Sequence, residues 1–196
     1  MRRLTSVNRL IWLVATCASL SGADAQVVRV FVNGAEQLPS PASGAPITIT
    51  VPTSPSFIKV YGDPAATTNI GLITLNGSIA FGTDASIGVL IGNLGAFPGE
   101  STDPLSNAGL HWAGITIDPA SPTLNDRVKV AGAISGDLTG PITVGQVFSL
   151  HVDGDVDASI TATGSDNLPL EPIETIRIGK ALKADTIRAE LTKCLA

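Results

Sequence analysis

Asp153, Asp155 and Asp157 form a D-x-D-x-D run, the densest chemical feature of this 196-residue chain. Oxygen-rich spacing of this kind suits Ca²⁺, which takes carboxylate and carbonyl ligands. The twelve-residue EF-hand loop needs Gly at its sixth position and Glu at its twelfth. Counted from Asp153 those positions hold Ala158 and Gly164, so that loop is excluded. On one flat strand the three side chains would stand about 7 Å apart, at roughly 3.3 Å per residue. A single Ca²⁺ holds its oxygens at about 2.4 Å, so the row would have to bend to close on it. Asp153, Asp155 and Asp157 are the candidate metal ligands; the competing reading is three carboxylates turned out to water. The sequence calls for no cofactor and names no catalytic residue.

The other reactive groups are few. His111 and His151 are the two histidines. A Ser-His-Asp hydrolase of the α/β type would need a G-x-S-x-G elbow, which does not occur. A zinc site would need three or four ligands, and neither H-x-x-x-H nor C-x-x-C is found. His151 lies between Leu150 and Val152, so alternation sends it outward. Polysaccharide lyases and hydrolases use carboxylates with Ca²⁺ or Arg, or paired acids. Arg177 and the three aspartates could meet on neighbouring strands in that way, but nothing in the sequence selects them. Aromatics make up 4% of the residues, which leaves few platforms for sugars or bases.

Period-two strands must position all of these groups. Seven phrases pair two apolar residues one apart with a following Gly, often after one more residue: Ile58-Lys-Val60-Tyr-Gly62, Ile73-Thr-Leu75-Asn-Gly77, Val89-Leu-Ile91-Gly92, Val128-Lys-Val130-Ala-Gly132, Ile142-Thr-Val144-Gly145, Leu150-His-Val152-Asp-Gly154 and Ile176-Arg-Ile178-Gly179. Alternation with β-branched residues marks strands of three to five residues, too short and too many for helices. Within 142–164 the reading is three strands: Ile142/Val144, Leu150/Val152 and Ile160/Ala162, with bends at Gly145, Gly154 and Gly164. Three such strands make a turn of roughly 18 to 25 residues, the repeat size of stacked coils. The expected fold is all-β, a parallel β-helix or solenoid of short strands, with Val144 and Val152 inside and Thr143 and His151 outside. The alternative is an antiparallel β-sandwich, because Asn76-Gly77 and Asp153-Gly154 are hairpin signals.

Four regions depart from the rhythm. Val28–Val32 and Ile47–Val51 alternate across a Pro/Ser/Gly loop, which predicts a hairpin-like N-terminal element over 26–57. Residues 95–114 are rich in Gly, Pro, Ser and Asp, and read as a loop inserted into a solenoid spanning 58–196, with Trp112 packing over the coil. Residues 118–127 and 164–172 read as further protrusions. In the tail, Ile187, Leu191 and Leu195 fall at helical spacing, so 180–196 reads either as a capping helix or as a last coil that continues or docks.

The ends set the compartment. Arg2, Arg3 and Arg9 precede the apolar run Leu10–Leu20, and Ala23-Asp24-Ala25 fits a small-x-small cleavage site. Residues 1–25 read as a secretory signal peptide, with Gln26 the first mature residue. The run is about 11 residues, against about 20 for a membrane span. Cys17 gives a poor lipobox. Loss of Arg2, Arg3, Arg9 and Asp24 takes the net charge from −5 to −7. So acidic a chain weighs against nucleic acid, whose phosphates need clustered cations. Cys194 is the one thiol left, so no internal disulfide staples the fold.

The stretch Gly136–Gly145 reads G-D-h-x-G-x-I-x-V-G, where h is apolar, and Gly154–Ala162 repeats it with Ala for the second Gly. This idiom resembles the coils of secreted bacterial repeat proteins of the right-handed parallel β-helix type, frequent in planctomycete-type genomes. The resemblance covers 58–94 and 128–191 and implies a fold, with no site residues to carry over. The expected function is an exported, non-enzymatic solenoid: a structural, adhesive or cell-surface module whose partner is an extracellular polysaccharide or protein. The alternative is a carbohydrate-active β-helix.

Overall fold

A computed structural model describes residues 27–53, 56–62, 68–79, 86–92, 111–163, 173–183 and 187–189. Among these residues the chain forms thirteen strands and one short 3₁₀ turn. The strands are β1 (Val28–Val32), β2 (Ala35–Glu36), β3 (Ile47–Thr50), β4 (Ser56–Gly62), β5 (Ile73–Asn76), β6 (Ile87–Ile91), β7 (Ile115–Ile117), β8 (Val128–Ile134), β9 (Ile142–Val144), β10 (Gln146–Val152), β11 (Ile160–Ala162), β12 (Ile173–Ile178) and β13 (Ile187–Ala189). The turn is Pro122–Leu124. No helix among the described residues is long and apolar enough to cross a membrane.

The strands sort into two sheets. One has seven strands in the order β12-β10-β8-β6-β4-β1-β2, the other six in the order β13-β11-β9-β7-β5-β3. Every pair is parallel except those of β1, which runs antiparallel to β2 and β4. The antiparallel sandwich is thereby corrected: Asn76-Gly77 and Asp153-Gly154 turn corners and do not close hairpins. A third line consists of single parallel bridges running Ile70, Trp112, Leu138, Val156, Leu182. The chain visits a bridge residue, then the six-stranded sheet, then the seven-stranded sheet, and repeats.

This order changes the reading of 142–164. Ile142 pairs in register with Ile160, 18 residues on. Ile160/Ala162 is therefore the next level of the first strand, not a third face. The third face is one residue wide, Leu138 and Val156, and gave no period-two signal to find.

Inward residues stack as columns of like on like. Ile47, Ile73, Ile115, Ile142 and Ile160 form one column in the six-stranded sheet, none more than 3% exposed. Ile58, Val89, Val130 and Val147 form one in the seven-stranded sheet. Val144 and Val152 are buried, while Thr143 and His151 are half-buried on the outside. Each such aliphatic side chain contributes at most about 1.5–3 kcal/mol on burial.

Glycines let the levels approach at the corners. A Cβ on Gly140 would collide with the Ala113 carbonyl, and one on Gly114 (φ 90°) with the carbonyl of Pro141.

Three local expectations are corrected. The N-terminal hairpin pairs β1 with β2 across Asn33 (φ 51°) and Gly34 (φ 82°), not with Ile47–Val51. Asn-Gly with both φ positive is the turn that suits strand twist, and the longer alternating partner drew attention from it. β3 instead begins the six-stranded sheet beside β5. Trp112 is fully buried in the bridge line between Ile70 and Leu138, so it is no loop residue; its Nε1 has no hydrogen-bond partner among the described residues. Residues 118–127 do not protrude: Leu124 is buried, and the Ser121 hydroxyl accepts the Gly77 N–H at 2.9 Å. Of the two readings of the tail, the described residues carry the strand-like one: Leu182 is bridged to Val156 and β13 pairs with β11. Most of the 95–114 insertion, the 164–172 protrusion, the signal segment, Leu191, Cys194 and Leu195 lie outside the described residues.

Candidate functional site

The aspartate row sits at a corner, not along a strand. β10 ends at Val152, the chain bends at Asp153-Gly154, and Val156 enters the bridge line. Asp155 accepts the Ala181 N–H at 3.0 Å and lies 2.6 Å from the Lys183 ammonium. Asp157 is 3.8 Å from the same ammonium. The hydrogen bond from Lys183, then that from the Ala181 N–H, hold the Asp155 carboxyl below the ordinary aspartate range. Asp155 in turn raises Lys183. Among the described residues no three His, Cys, Asp or Glu side chains are placed to hold a metal ion.

The corner explains the Gly-Asp-apolar idiom. Asp137 Oδ1 accepts the Asp155 N–H at 2.8 Å, just as Asp155 accepts that of Ala181. One level below Asp137, His111 Nδ1 accepts the Asp137 N–H at 3.0 Å. At the other end the Ser43 hydroxyl accepts the Asn69 N–H at 2.8 Å. The residues before three successive bridges, His111, Asp137 and Asp155, thus each cap a backbone donor of the next level, and an uncapped donor there would be costly. Asp fits because its short carboxylate reaches one strand spacing. His111 serves this ladder, with Nδ1 3.3 Å from Asp137 Oδ2. His151 and Arg177 stand side by side in register on β10 and β12. No ion pair joins Arg177 to the three aspartates among the described residues.

The outer faces of the sheets are the larger features. On the six-stranded sheet Thr48, Thr74, Thr116, Thr143 and Thr161 occupy the same register position, followed by Arg188. Each threonine is the middle of an Ile-Thr-apolar triplet, and the triplets recur at unequal sequence intervals. A β-branched polar residue suits the outer face of a sheet. The triplets were visible in the sequence. The reading by apolar phrases ending in Gly passed over the shared middle residue.

The seven-stranded sheet presents a mixed outer face. At its antiparallel end Arg29 forms a two-pronged ion pair with Glu36, at 2.8 and 2.9 Å. That hydrogen bonding pulls the Glu36 carboxyl below its usual range. The guanidinium lies over Phe31 and Tyr61, whose rings stack in parallel 5.7 Å apart. The buried Lys59 ammonium lies 5.1 Å from the Tyr61 ring centre. Further along, Gly88, Lys129, Val130, Ala131, Gln146 and Phe148 line a groove of about 260 Å³. Phe57 packs over Gly88, where a Cβ would press within 3.2 Å of its ring. A β-bulge sets Phe148 and Ser149 against Ala131 alone, and so turns the Phe148 ring outward into this groove.

Phe57, Lys129 and Phe148 were not singled out from the sequence. They belong to β4, β8 and β10, and only the register of the sheet brings Lys129 and Phe148 into one groove and Phe57 to its edge over Gly88. The bulge adds a residue that simple alternation does not foresee. No family model matches the chain, and no match is found among curated proteins or solved structures.

Proposed function

We propose that the chain is an exported, non-enzymatic β-solenoid of the parallel β-helix type that serves as an adhesive or structural module at the cell surface or beyond it. The observation that supports this most is the chain path: bridge line, six-stranded sheet and seven-stranded sheet recur in that order, with inward Ile, Val and Leu stacked in register. Such a path makes a rigid rod-like body whose outer faces are free to carry contacts. Export rests on the leader-like residues 1–25 and on the resemblance of the Gly-Asp-apolar idiom to secreted repeat proteins. Of the aspartates that the carbohydrate-active alternative would use, Asp155 caps the Ala181 N–H and pairs with Lys183, and Asp157 lies beside the same ammonium. The test is expression of the full chain in a bacterial host. The expected result is protein outside the cytoplasm that starts at Gln26 and sediments with cells. Retention in the cytoplasm with Met1 in place, or release of sugar ends from a panel of polysaccharides, overturns the proposal.

A further inference from the structure

The strands of the seven-stranded sheet carry Arg29, Lys59, Lys129 and Arg177, and also Phe31, Phe57, Tyr61 and Phe148. Their acids are Glu36, tied to Arg29, and Glu174. The six strands of the other sheet hold no acid, no aromatic and one cation, Arg188. In a chain of net charge −5 with 4% aromatics, the cations and rings of the strands fall mainly on this sheet, with Lys59 and Tyr61 buried and Phe57 and Phe148 exposed. Phe57 is 42% exposed and Phe148 45%, large fractions for side chains this apolar. Lys129 stands between them across the strands and has no acidic partner among the described residues.

From these observations we infer that the groove lined by Lys129 and Phe148, with Phe57 beside it over Gly88, binds an acidic polysaccharide, with sugar rings stacked on the two phenyl groups and a carboxylate paired to Lys129. The inference rests on the adhesive reading above and names its ligand class. A phenyl ring offers a flat apolar surface to sugar C–H groups, and an ammonium in a partly apolar groove favours an anion. β4 and β10 are three strand steps apart, which places the rings on the order of 14 Å from each other. That span suits a linear polymer of several rings better than one small ligand. Arg177 carries the positive charge onward to β12.

The test uses the full chain with three labelled probes: polygalacturonate, neutral dextran and poly-glutamate. Binding to polygalacturonate alone is expected, weaker at high salt as screening requires. Phe148→Ala and Lys129→Gln should each weaken it about tenfold, the effect of losing roughly one good contact. Thr143→Val, on the opposite sheet, should leave it unchanged. Melting curves verify that each variant is folded. Failure to bind polygalacturonate, equal binding to either control polymer, or indifference to both groove variants overturns the inference. A chain that sediments with cells but ignores polygalacturonate defeats this ligand and leaves the adhesive reading standing. Shortening of the polymer on size exclusion supports the groove as a sugar site and defeats the non-enzymatic reading.

Discussion

The two sheets share one core and differ on the outside. Inside, both present stacked Ile, Val and Leu, and each level buries its residues against the next. Outside, the six-stranded sheet repeats threonine five times at one position, whereas the seven-stranded sheet changes residue at nearly every level. Repetition is what a rung needs when its only task is to fit the pleat and stay in water. On the seven-stranded sheet the backbone also varies, with an antiparallel end at β1 and a bulge in β10. The difference separates a uniform face from a varied one: the threonine face follows the repeat of the fold, and the mixed face is where the proposed contacts are placed.

The largest expected effect tests the shared core. Val144→Asp and Val152→Asp should each unfold the chain, because a buried unpaired carboxylate costs several kcal/mol, about the margin of a whole domain. Thr143→Asp and His151→Asp, one residue away on each sheet, should leave a cooperative melt near the wild-type temperature. If the outward pair proved the more damaging, the inward columns would be misassigned on both sheets.

A smaller effect belongs to the corner ladder that joins the levels. Asp137→Ala removes the acceptor of the Asp155 N–H and should cost about 1 kcal/mol in denaturant melts. Asp137→Asn keeps an oxygen in place and should recover most of it. Equal loss in both variants would point to charge and away from the ladder.

Next comes the Asp155–Lys183 pair. Its folded carboxyl titrates below the ordinary aspartate value of about 3.9, so its stabilisation is full above that value and fades as pH falls through the lower one. Asp155→Asn should melt slightly below wild type at pH 7, and the gap should close in acid. A gap that widened below pH about 3.9 would reverse the sign and break this account.

The smallest effects are expected at the threonine face and with metal. Thr143→Val should change stability by no more than about 0.5 kcal/mol, since it keeps the β-branch on an outer face. EDTA should leave the melting temperature where it is. An upward shift in millimolar Ca²⁺ that Asp155→Asn abolishes would return the aspartate row to the place of first interest.

By itself the sequence determined the local code. Period-two alternation with β-branched residues marked the strands, and marked Val144 and Val152 as inward, because side chains on a strand alternate whatever its partner. The Gly-Asp-apolar idiom was also legible as a repeat, although its purpose as a chain of backbone caps was not. Partnership was decided by the tertiary structure. β1 joins β2 and β4 while β3 joins β5, a choice that local alternation cannot distinguish because both strands carry the same pattern. The one-residue bridge line has no period, so Trp112 looked like a loop residue until Ile70 and Leu138 were found on either side of it. The groove of Lys129 and Phe148, with Phe57 at its edge, exists only through sheet register and a bulge. Residues up to 91 positions apart in the chain meet there, and long-range register is set by the packing of the whole core, which no local window of residues contains.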